Sequence, residues 1–435
     1  MDNITIGFIG LGAGLFLIAL RVQIGVAVGL VSFIGIAVIA NMRAAWGMLT
    51  ATPFHFVGDW NLTAIPMFLL MGYVASSSGL TQGLFRAMRI FMSRLPGGLA
   101  VASVGACALM SAASGSSVAT SSSMARIATP EMLKYGYNPG LATGVVATAG
   151  TLGSLIPPSI LLVLYGYYAE VSIAQLFMAG VIPGLLSAVM MALMIVTRAT
   201  ITPSLAPRVE ESFTTEEKLE ALKDIWPLPV LVLGVLVGIF IGLFTPTEAG
   251  AIGAFLAIVL AVVRRALNWR VFKNAVVSTL SSTASIFMVV IGTVLLGRFM
   301  AMSGLPTFIA GELLVFGGDE LTIILMVTAL YLLLGMFLDS IGILLLTLPI
   351  ILPIAREAGI DFIWFGIILV KLLEIGLVTP PVGLNVYVMK ASLGSLVRLQ
   401  DIFRGVSWFV VIELVTLSLL VAIPALSLWL PGILS

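Results

Sequence analysis

Charged residues, cysteine and histidine are all scarce in this chain of 435 residues. Only 9% of the residues are charged. With one cysteine, Cys107, and one histidine, His55, the chain can form neither an intramolecular disulfide nor a Cys/His metal cluster. The formal net charge of +1 offers no basic stripe for phosphate groups, which excludes nucleic acid as a partner.

Two catalytic signatures are absent from the sequence as well. There is no Gly-x-x-x-x-Gly-Lys loop to hold nucleotide phosphates, which excludes an ATP-driven pump. There is no Gly-x-Ser-x-Gly elbow, and Asp339 has no partner aspartate in a neighbouring predicted span. An intramembrane enzyme is therefore only a remote alternative, and the chain is not expected to be an enzyme.

Hydrophobic residues, in contrast, make up 60% of the chain, and the mean hydropathy is +1.18. This composition predicts a multi-pass protein that resides in a lipid bilayer. Apolar segments of about 20 residues, the length that crosses the hydrocarbon, follow one another from Ile4 to Leu430 and predict roughly ten to twelve spans plus two hairpins. Because the apolar runs are continuous rather than alternating, the predicted fold class is all-α.

Two Pro-Pro steps lie in matching apolar contexts at an offset of 223 residues, Gly153-Ser154-Leu155-Ile156-Pro157-Pro158 and Gly376-Leu377-Val378-Thr379-Pro380-Pro381. A proline removes a backbone donor and clashes with the preceding turn, so each pair is expected to unwind a membrane helix and free its carbonyls. The same offset pairs Pro130 with Pro353 and Ser116 with Asp339. This register predicts broken helices at about 140–170 and about 362–393 in a duplicated chain. Ordinary proline kinks are the alternative.

Before each predicted broken helix lies a segment that is too long for one span and is interrupted by polar residues. These segments, at about 98–134 and about 321–357, are predicted to be hairpins with tips at Ser114–Ser117 and Phe337–Gly342. Hydroxyls, free carbonyls and half-helix C-termini at mid-membrane favour a hard cation. The alternatives are a packing interface for the Ser/Gly run and a paired structural charge for Asp339.

Loops at corresponding places in the two halves carry opposite charge. The stretch 81–96 contains only basic charges, and 306–320 contains only acidic ones, namely Arg86, Arg89 and Arg94 against Glu312, Asp319 and Glu320. Because Lys and Arg favour the cytoplasmic side of short loops, the halves are predicted to be inverted-topology repeats. The predicted organisation is a first half with scaffold helices at 1–202, a polar linker with a surface helix at 203–226, and a second half at 227–435.

Other charged residues receive structural interpretations. Lys371 and Glu374 lie three residues apart, on one helix face, and predict an ion pair. Glu248, beside Pro246, is predicted to cap or brace a helix start. Thr214 or Thr215, followed by a cluster of acids, predicts a helix start in the linker.

Over essentially its whole length the chain resembles the large membrane (M) subunit of tripartite ATP-independent periplasmic (TRAP) transporters, which have an ion transporter superfamily-like fold. The resemblance rests on four motifs, Ser114-Gly115-Ser116-Ser117-Val118-Ala119-Thr120, Gly153-Ser154-Leu155-Ile156-Pro157-Pro158-Ser159, Thr245-Pro246-Thr247-Glu248-Ala249-Gly250 and Thr379-Pro380-Pro381-Val382-Gly383-Leu384-Asn385. Each motif alone is weak, and the four together are specific.

The resemblance implies a multi-pass protein of the bacterial inner membrane that couples uptake of an organic acid anion to sodium entry by an elevator motion. The anion would be a carboxylate such as a dicarboxylate, sialic acid or a sugar acid. Na⁺ would be the coupling ion, and no organic cofactor is expected. The implied partners are a small membrane subunit and a periplasmic substrate-binding protein. A stand-alone sodium/carboxylate symporter that needs no binding protein is the alternative.

The resemblance also assigns residues to sites. The residues expected to bind sodium are Ser114, Gly115, Ser116, Ser117, Gly153 and Ser154 in one site, and Asp339, Ser340, Gly342, Gly376, Thr379 and Leu384 in a second. The residues expected to contact substrate are Ser116, Arg126, Pro157, Pro158, Pro380, Pro381 and Asn385. Arg126 is a candidate counter-charge for the anion, and a helix-end arginine that snorkels to the interface is the alternative.

Overall fold

The structure, a computed structural model, describes residues 2–81, 83–208, 213–315 and 320–434. Its regular elements within these ranges are all helices, as the composition predicts. Those of the first half are α1 (Asn3–Ala19), α2 (Ile24–Ile39), α3 (Met42–Val57), α4 (Ala64–Ser77), α5 (Leu84–Met92), α6 (Gly98–Ser114), α7 (Ser117–Lys134), α8 (Pro139–Ala149), α9 (Ile160–Ala169) and α10 (Ile173–Ile201).

The remaining helices begin in the linker. They are α11 (Thr215–Ile225), α12 (Pro227–Phe240), α13 (Pro246–Val263), α14 (Trp269–Ser303), α15 (Leu305–Val315), α16 (Glu320–Gly335), α17 (Ser340–Glu357), α18 (Phe362–Gly376), α19 (Leu384–Leu393), α20 (Leu399–Ala422) and α21 (Ala425–Leu434). Short 3-10 turns occur at Trp60–Thr63, Gly150–Ser154, Pro203–Leu205 and Gly394–Leu396.

Short polar side chains set the start of many of these helices by accepting hydrogen bonds from the free backbone N–H groups of the first turn. Such caps include Asp2, Asn41, Asn138, Ser159, Ser172, Asn268, Asp339 and Asp361. Thr214 with Glu217, and Thr245 with Glu248, form reciprocal capping boxes. The predicted helix start in the linker and the predicted capping role of Glu248 are therefore confirmed.

Within the described residues, five helices are long and apolar enough to cross a membrane, namely α10, α13, α14, α17 and α20. The pair α11 and α12, bent by 50°, adds a sixth candidate. This is fewer than the ten to twelve predicted spans because many apolar segments are divided into helices of 10–17 residues. At 1.5 Å per residue such helices are shorter than the roughly 30 Å of hydrocarbon.

The duplication read from the prolines extends to the order of the helices. In each half a hairpin (α6–α7, α16–α17) precedes a helix that breaks near its middle (α8–α9, α18–α19) and a long helix (α10, α20). The offset of 223 residues carries the start of α7, Ser117, onto Ser340, and the start of α8, Pro139, onto Phe362. The hairpins and the breaks therefore occupy corresponding places in the two halves.

The broken helix of each half packs against helices of the other half. The second piece of each broken helix packs against the hairpin of the other half, α9 on α17 and α19 on α7. The first pieces pack on the long helix of the opposite half, α8 on α20 and α18 on α10. This reciprocal packing brings both hairpins and both breaks into one central group of helices.

Around this central group lie α1–α4 and α11–α15, dominated by the 35-residue helix α14. α14 packs against α2 and α4 and also reaches the hairpin helix α17. Apolar residues of α1–α3, α14 and α15, together with Leu346 of α17, form a second, smaller core that includes Phe299 and Ile36. Many large apolar side chains on these outer helices are exposed, for example Phe54 at 80% and Phe255 at 64%, as expected for a surface that faces lipid.

Charged residues from three parts of the chain, α5, α11 and the end of α13, form ion pairs with one another. Arg86 on α5 pairs with Glu220 on α11 at 3.4 Å, and Arg264 at the end of α13 pairs with Asp224 at 3.6 Å. Because Lys and Arg favour the cytoplasmic side of short loops, both arginines are expected on that side, and their pairing with one helix is consistent with a shared side. In the acidic counterpart loop, Asp319 lies outside the described residues.

Candidate ion and substrate site

A cavity of about 120 Å³ lies where the two hairpin tips and the two helix breaks meet. Its lining comes from all four elements: Gly115, Ser116, Ser117 and Val118; Ser154, Ile160 and Leu161; Asp339, Ser340 and Ile341; Leu377 and Leu384. A volume of this size accommodates several waters or ions. The fold thus brings together, from distant parts of the chain, the two tips that the sequence marks as polar.

The first tip is a tight turn between α6 and α7. Gly115 adopts a left-handed conformation with φ of +58°, and a Cβ there would lie 2.9 Å from the Pro158 carbonyl oxygen. Glycine is therefore required both for the backbone conformation and for the close approach of the first break. Ser116 caps α7 by accepting a hydrogen bond from the Ala119 amide at 3.4 Å.

Hydroxyl groups join this tip to the first break. The Ser117 and Ser154 Oγ atoms lie 2.6 Å apart, and the Ser114 Oγ lies 2.9 Å from the Thr120 Oγ1. Ser159 donates to the Ser154 carbonyl and also caps α9. A Cβ added to Gly153 would lie 3.1 Å from the Ser116 carbonyl carbon, so the turn before the break packs directly on the tip.

The second tip has a carboxylate where the first has a hydroxyl. Asp339 caps α17, its Oδ2 accepting from the Gly342 amide at 3.0 Å, and its side chain is otherwise exposed. Ser340 is buried, and its Oγ has no hydrogen-bond partner among the described residues. The cavity wall here contains one charge and one hydroxyl that is free to bind a ligand.

The second break is more open than the first. Pro380 and Pro381 are exposed, whereas Pro157 and Pro158 are buried. The Thr379 hydroxyl donates to the Ile375 carbonyl at 2.7 Å. Gly383 has φ of +58°, and the Asn385 amide donates to the Leu377 carbonyl at 3.0 Å, which closes the turn.

Of the residues predicted to form the sites, Gly115, Ser116, Ser117, Ser154, Asp339, Ser340 and Leu384 line the cavity. Two other predicted residues, Gly376 and Asn385, lie outside the lining and make contacts between helices. Gly376 packs against Gly335 so closely that a Cβ would lie 2.6–2.8 Å from the opposite Cα. Asn385 donates from its side chain to the Ala147 carbonyl at 3.2 Å, which ties α19 to α8. The lining does not include the other predicted residues Ser114, Gly153, Gly342, Thr379 and the four break prolines.

Arg126 does not reach this cavity. It is exposed on α7, nine residues beyond Ser117, or about 14 Å along a helix. Its guanidinium bonds to Ser122, at 3.4 Å to the carbonyl and 3.3 Å to the hydroxyl. The geometry therefore favours the snorkelling interpretation over the counter-charge.

The sequence did not identify the apolar wall of the cavity, formed by Val118, Ile160, Leu161, Ile341 and Leu377. Nothing in the chemistry of these residues distinguishes them from lipid-facing ones. Their position was the available signal, because each lies at the first or second residue of a helix, or directly after a helix end, beside a tip or break.

Four helices, α7, α9, α17 and α19, begin at the cavity wall. Helix N-termini carry partial positive charge and free N–H groups, so their convergence favours an anion. α6 and α18 end there, and C-terminal carbonyls favour cations. The arrangement can therefore hold an anion and small cations without any basic side chain in the described lining.

An all-helical membrane protein in which duplicated hairpins and broken helices meet at one cavity has the architecture of a secondary transporter. A family model described as "Tripartite ATP-independent periplasmic transporter, DctM component" matches residues 11–426. The chain belongs to this family and is the large membrane subunit of a TRAP transporter. The resemblance read from the four motifs is thereby confirmed.

Individual relatives agree with this assignment. The chain is 37% identical over 382 residues to the C4-dicarboxylate TRAP transporter large permease protein DctM of Pseudomonas aeruginosa, covering 87% of this chain and 88% of that protein. It is 32% identical over 434 residues to the isethionate TRAP transporter permease protein DctMQ of Oleidesulfovibrio alaskensis, covering 96% of this chain and 66%, about two thirds, of that protein.

A solved structure shares the fold. The crystal structure of the Alcanivorax borkumensis YdaH transporter, described as having an unusual topology, matches with a TM-score of 0.62. The match covers 90% of this chain and 89% of that one at 16% sequence identity. At this identity the similarity shows a common fold alone.

Proposed function

We propose that this subunit takes up an organic acid anion across the bacterial inner membrane, driven by sodium entry. The observation that supports an anionic substrate is the convergence of four helix N-termini on the central cavity. The two relatives described above are named for C4-dicarboxylate and isethionate, which are both small organic anions. Dicarboxylates, sialic acid and sugar acids are the substrate classes to test first.

Sodium is proposed to bind at the two tips. The first site would use Ser114, Gly115, Ser116, Ser117, Gly153 and Ser154, and the second Asp339, Ser340, Gly342, Gly376, Thr379 and Leu384. Hydroxyl and carbonyl oxygens suit a hard cation, and the free Ser340 hydroxyl together with the single carboxylate of Asp339 supports the second site in particular. Sodium at both tips would also offset the charge of an anion bound between them.

Transport is proposed to follow an elevator motion. The central group of hairpins and broken helices would move as one body against α1–α4 and α11–α15. The second, smaller apolar core supports this division in part, because its described buried residues belong to the outer helices except for Leu346 of α17. A small membrane subunit and a periplasmic binding protein that delivers the substrate are the proposed partners.

Uptake of labelled organic acids into proteoliposomes tests this proposal. The chain is reconstituted with its candidate small subunit, with and without a sodium gradient and a periplasmic binding protein. The proposal expects uptake that requires both. Uptake that needs sodium but no binding protein would instead favour a stand-alone symporter, and sodium-independent uptake would contradict the ion sites.

A further inference from the structure

A second hollow lies between α10 and α20, the long helices of the two halves. Its volume is about 580 Å³, much larger than the central cavity and within the range of pockets that bind drug-sized organic molecules. It is lined by the last turns of α10, by Thr202 and Leu205 directly after them, and by Trp408 and Ile412 of α20. We call it the α10–α20 groove, and none of its lining residues belongs to the proposed ion and substrate sites.

The walls of the groove are mainly apolar and open to the outside of the helix bundle. Leu193 is 56% exposed and Ile201 is 76% exposed. Leu185 and Val189, at four-residue spacing before Leu193, continue this exposed apolar face along α10. The groove is therefore continuous with a surface that suits hydrocarbon chains.

A single charged residue, Arg198, lines the groove, in the last turn of α10. Its guanidinium carbon lies 4.6 Å from the centroid of the Trp408 ring, so the cation is stacked on the indole of the other helix. Stacking uses the face of the guanidinium and leaves the N–H groups at its edge for planar hydrogen bonds to an anion. The position of the arginine is thus fixed while its donors stay available.

The described lining contains no acidic side chain that would neutralise Arg198. The two acids of α20 have other partners. Asp401 pairs with Arg398 at 3.0 Å, and the buried Glu413 contacts Lys371.

Lys371 also pairs with Glu374 at 3.0 Å, which confirms the ion pair predicted from the sequence, and it donates to the Ser187 Oγ at 2.8 Å. Both buried acids are therefore engaged by the same ammonium in the interior. The positive charge of Arg198 faces a groove that needs an anion from outside the chain.

The groove lies at the end of α10 that leads into the linker. The linker helix α11 pairs with Arg86 and Arg264, which are expected on the cytoplasmic side. Tryptophan is enriched at the membrane–water interface, as Trp408 would be here. The cytoplasmic leaflet carries anionic lipids, and basic pockets between membrane helices on that side suit their headgroups.

We propose that the α10–α20 groove binds an anionic phospholipid of the cytoplasmic leaflet. The phosphate accepts hydrogen bonds from the Arg198 guanidinium and from the hydroxyls of Thr197 and Thr202, which are also part of the lining. An acyl chain lies along the apolar wall towards Leu193. This ligand is additional to the sodium ions and the organic anion of the proposed function.

The position of the lipid gives it a structural role. α10 packs on α18, and α20 packs on α8, which are the first pieces of the two broken helices. A lipid that contacts both α10 and α20 joins the two halves at one end of the central group. Because it binds the folded protein only, it should raise the thermal unfolding midpoint.

Native mass spectrometry of the purified full chain in mild detergent tests the proposal. Phosphatidylglycerol and phosphatidylcholine with the same acyl chains are added separately, and bound lipids are counted. The wild type is expected to bind phosphatidylglycerol at least about fivefold more tightly. Sodium, substrate and partner subunits are absent, so the outcome is independent of the proposed function.

Arg198→Gln should reduce this preference to less than about twofold, because the charge at the groove is lost. Arg198→Lys should keep most of it, since the charge remains. Arg270→Gln, at an exposed arginine in the first turn of α14, is the matched control and should bind both lipids like wild type. The stabilisation of the unfolding midpoint by phosphatidylglycerol should follow the same order.

The acyl chain is tested separately. Leu193→Ser should weaken the binding of both lipids, whereas Leu185→Ser, two turns earlier on the same face and outside the lining, should not. Inorganic phosphate at 100-fold excess, on the order of 10 mM, should not displace the lipid, because it gains nothing from the apolar wall.

Equal binding of the two lipids by the wild type would contradict the proposal, and this comparison needs no variant to fold. Equal losses in Arg198→Gln and Arg270→Gln would reduce the effect to general surface attraction. Displacement by inorganic phosphate would show a simple anion site instead of a lipid site. If Arg198→Gln loses the small membrane subunit on purification but keeps its lipid preference, the groove is a protein interface and the proposal is wrong.

Discussion

In the first hairpin the residue that precedes and caps the second helix is Ser116, and in the second hairpin it is Asp339, at the corresponding position 223 residues later. Both side chains cap the helix in the same way, so capping alone does not explain why one is charged. The tips also differ in their turns, because the left-handed Gly115 corresponds to Leu338. Both halves therefore have a hairpin whose second helix is capped by a side chain, while only the second tip carries a charge.

The breaks differ in a related way. At the first break the prolines are buried, and Ser159 caps α9 through its hydroxyl. At the second break the prolines are exposed, and α19 begins at Leu384, after Gly383, without a side-chain cap. The first half therefore provides a closed, hydroxyl-bonded wall, and the second half provides the charged and open wall of the same cavity.

Asp339→Ala should have the largest effect, because it removes the one charge that distinguishes the tips. We expect sodium-dependent uptake to fall to background while the protein stays folded and inserted, with about 1 kcal/mol lost from the missing cap. Asp339→Asn is the matched control: it keeps the cap and should unfold like wild type, yet it too should lose sodium dependence. Uptake with unchanged sodium dependence in either variant would remove Asp339 from the ion site.

Ser116→Phe tests the other tip. A bulky ring in a cavity of about 120 Å³ should block uptake at least about tenfold while the purified yield stays near that of wild type. If this tip were only a packing interface, the yield would fall together with the flux. Measuring yield and flux on the same preparations separates the two outcomes, and Ser418→Phe, at an exposed position on α20 outside the cavity lining, is the size control.

Much of the site was predictable because its signals are local and repeated. The two Pro-Pro steps at one offset predict both helix breaks. The small polar run predicts the first hairpin tip, and the lone aspartate predicts the second. Glu413 was not predictable, since it joins Lys371 from a helix 42 residues away and the sequence around it carries no periodic or motif signal. The apolar lining also escaped detection, because membrane helices are apolar on both their lipid-facing and their buried sides.

Gly115→Ala should have a smaller effect and should be specific to the first tip. A left-handed non-glycine residue costs about 1–2 kcal/mol, and the added Cβ would also meet the Pro158 carbonyl oxygen at 2.9 Å. Gly136→Ala shares the positive φ, but its nearest contact is the Pro207 Cγ at 3.8 Å. The thermal unfolding midpoint should therefore fall further for Gly115→Ala than for Gly136→Ala. If the two midpoints fall equally, the close approach of Gly115 to the Pro158 carbonyl does not affect stability.

The smallest expected effect comes from a matched pair of serines, Ser117 and Ser340, which begin α7 and α17 and are 7% and 8% exposed. Ser117→Ala removes the 2.6 Å contact with the Ser154 hydroxyl and should cost about 1 kcal/mol of stability. Ser340→Ala removes a hydroxyl without a described partner, so the unfolding midpoint should hardly change while the sodium concentration for half-maximal uptake rises. If instead both variants lose the same stability and neither changes sodium dependence, the free hydroxyl of the second tip is not an ion ligand, and the chemical difference between the tips reduces to Asp339 alone.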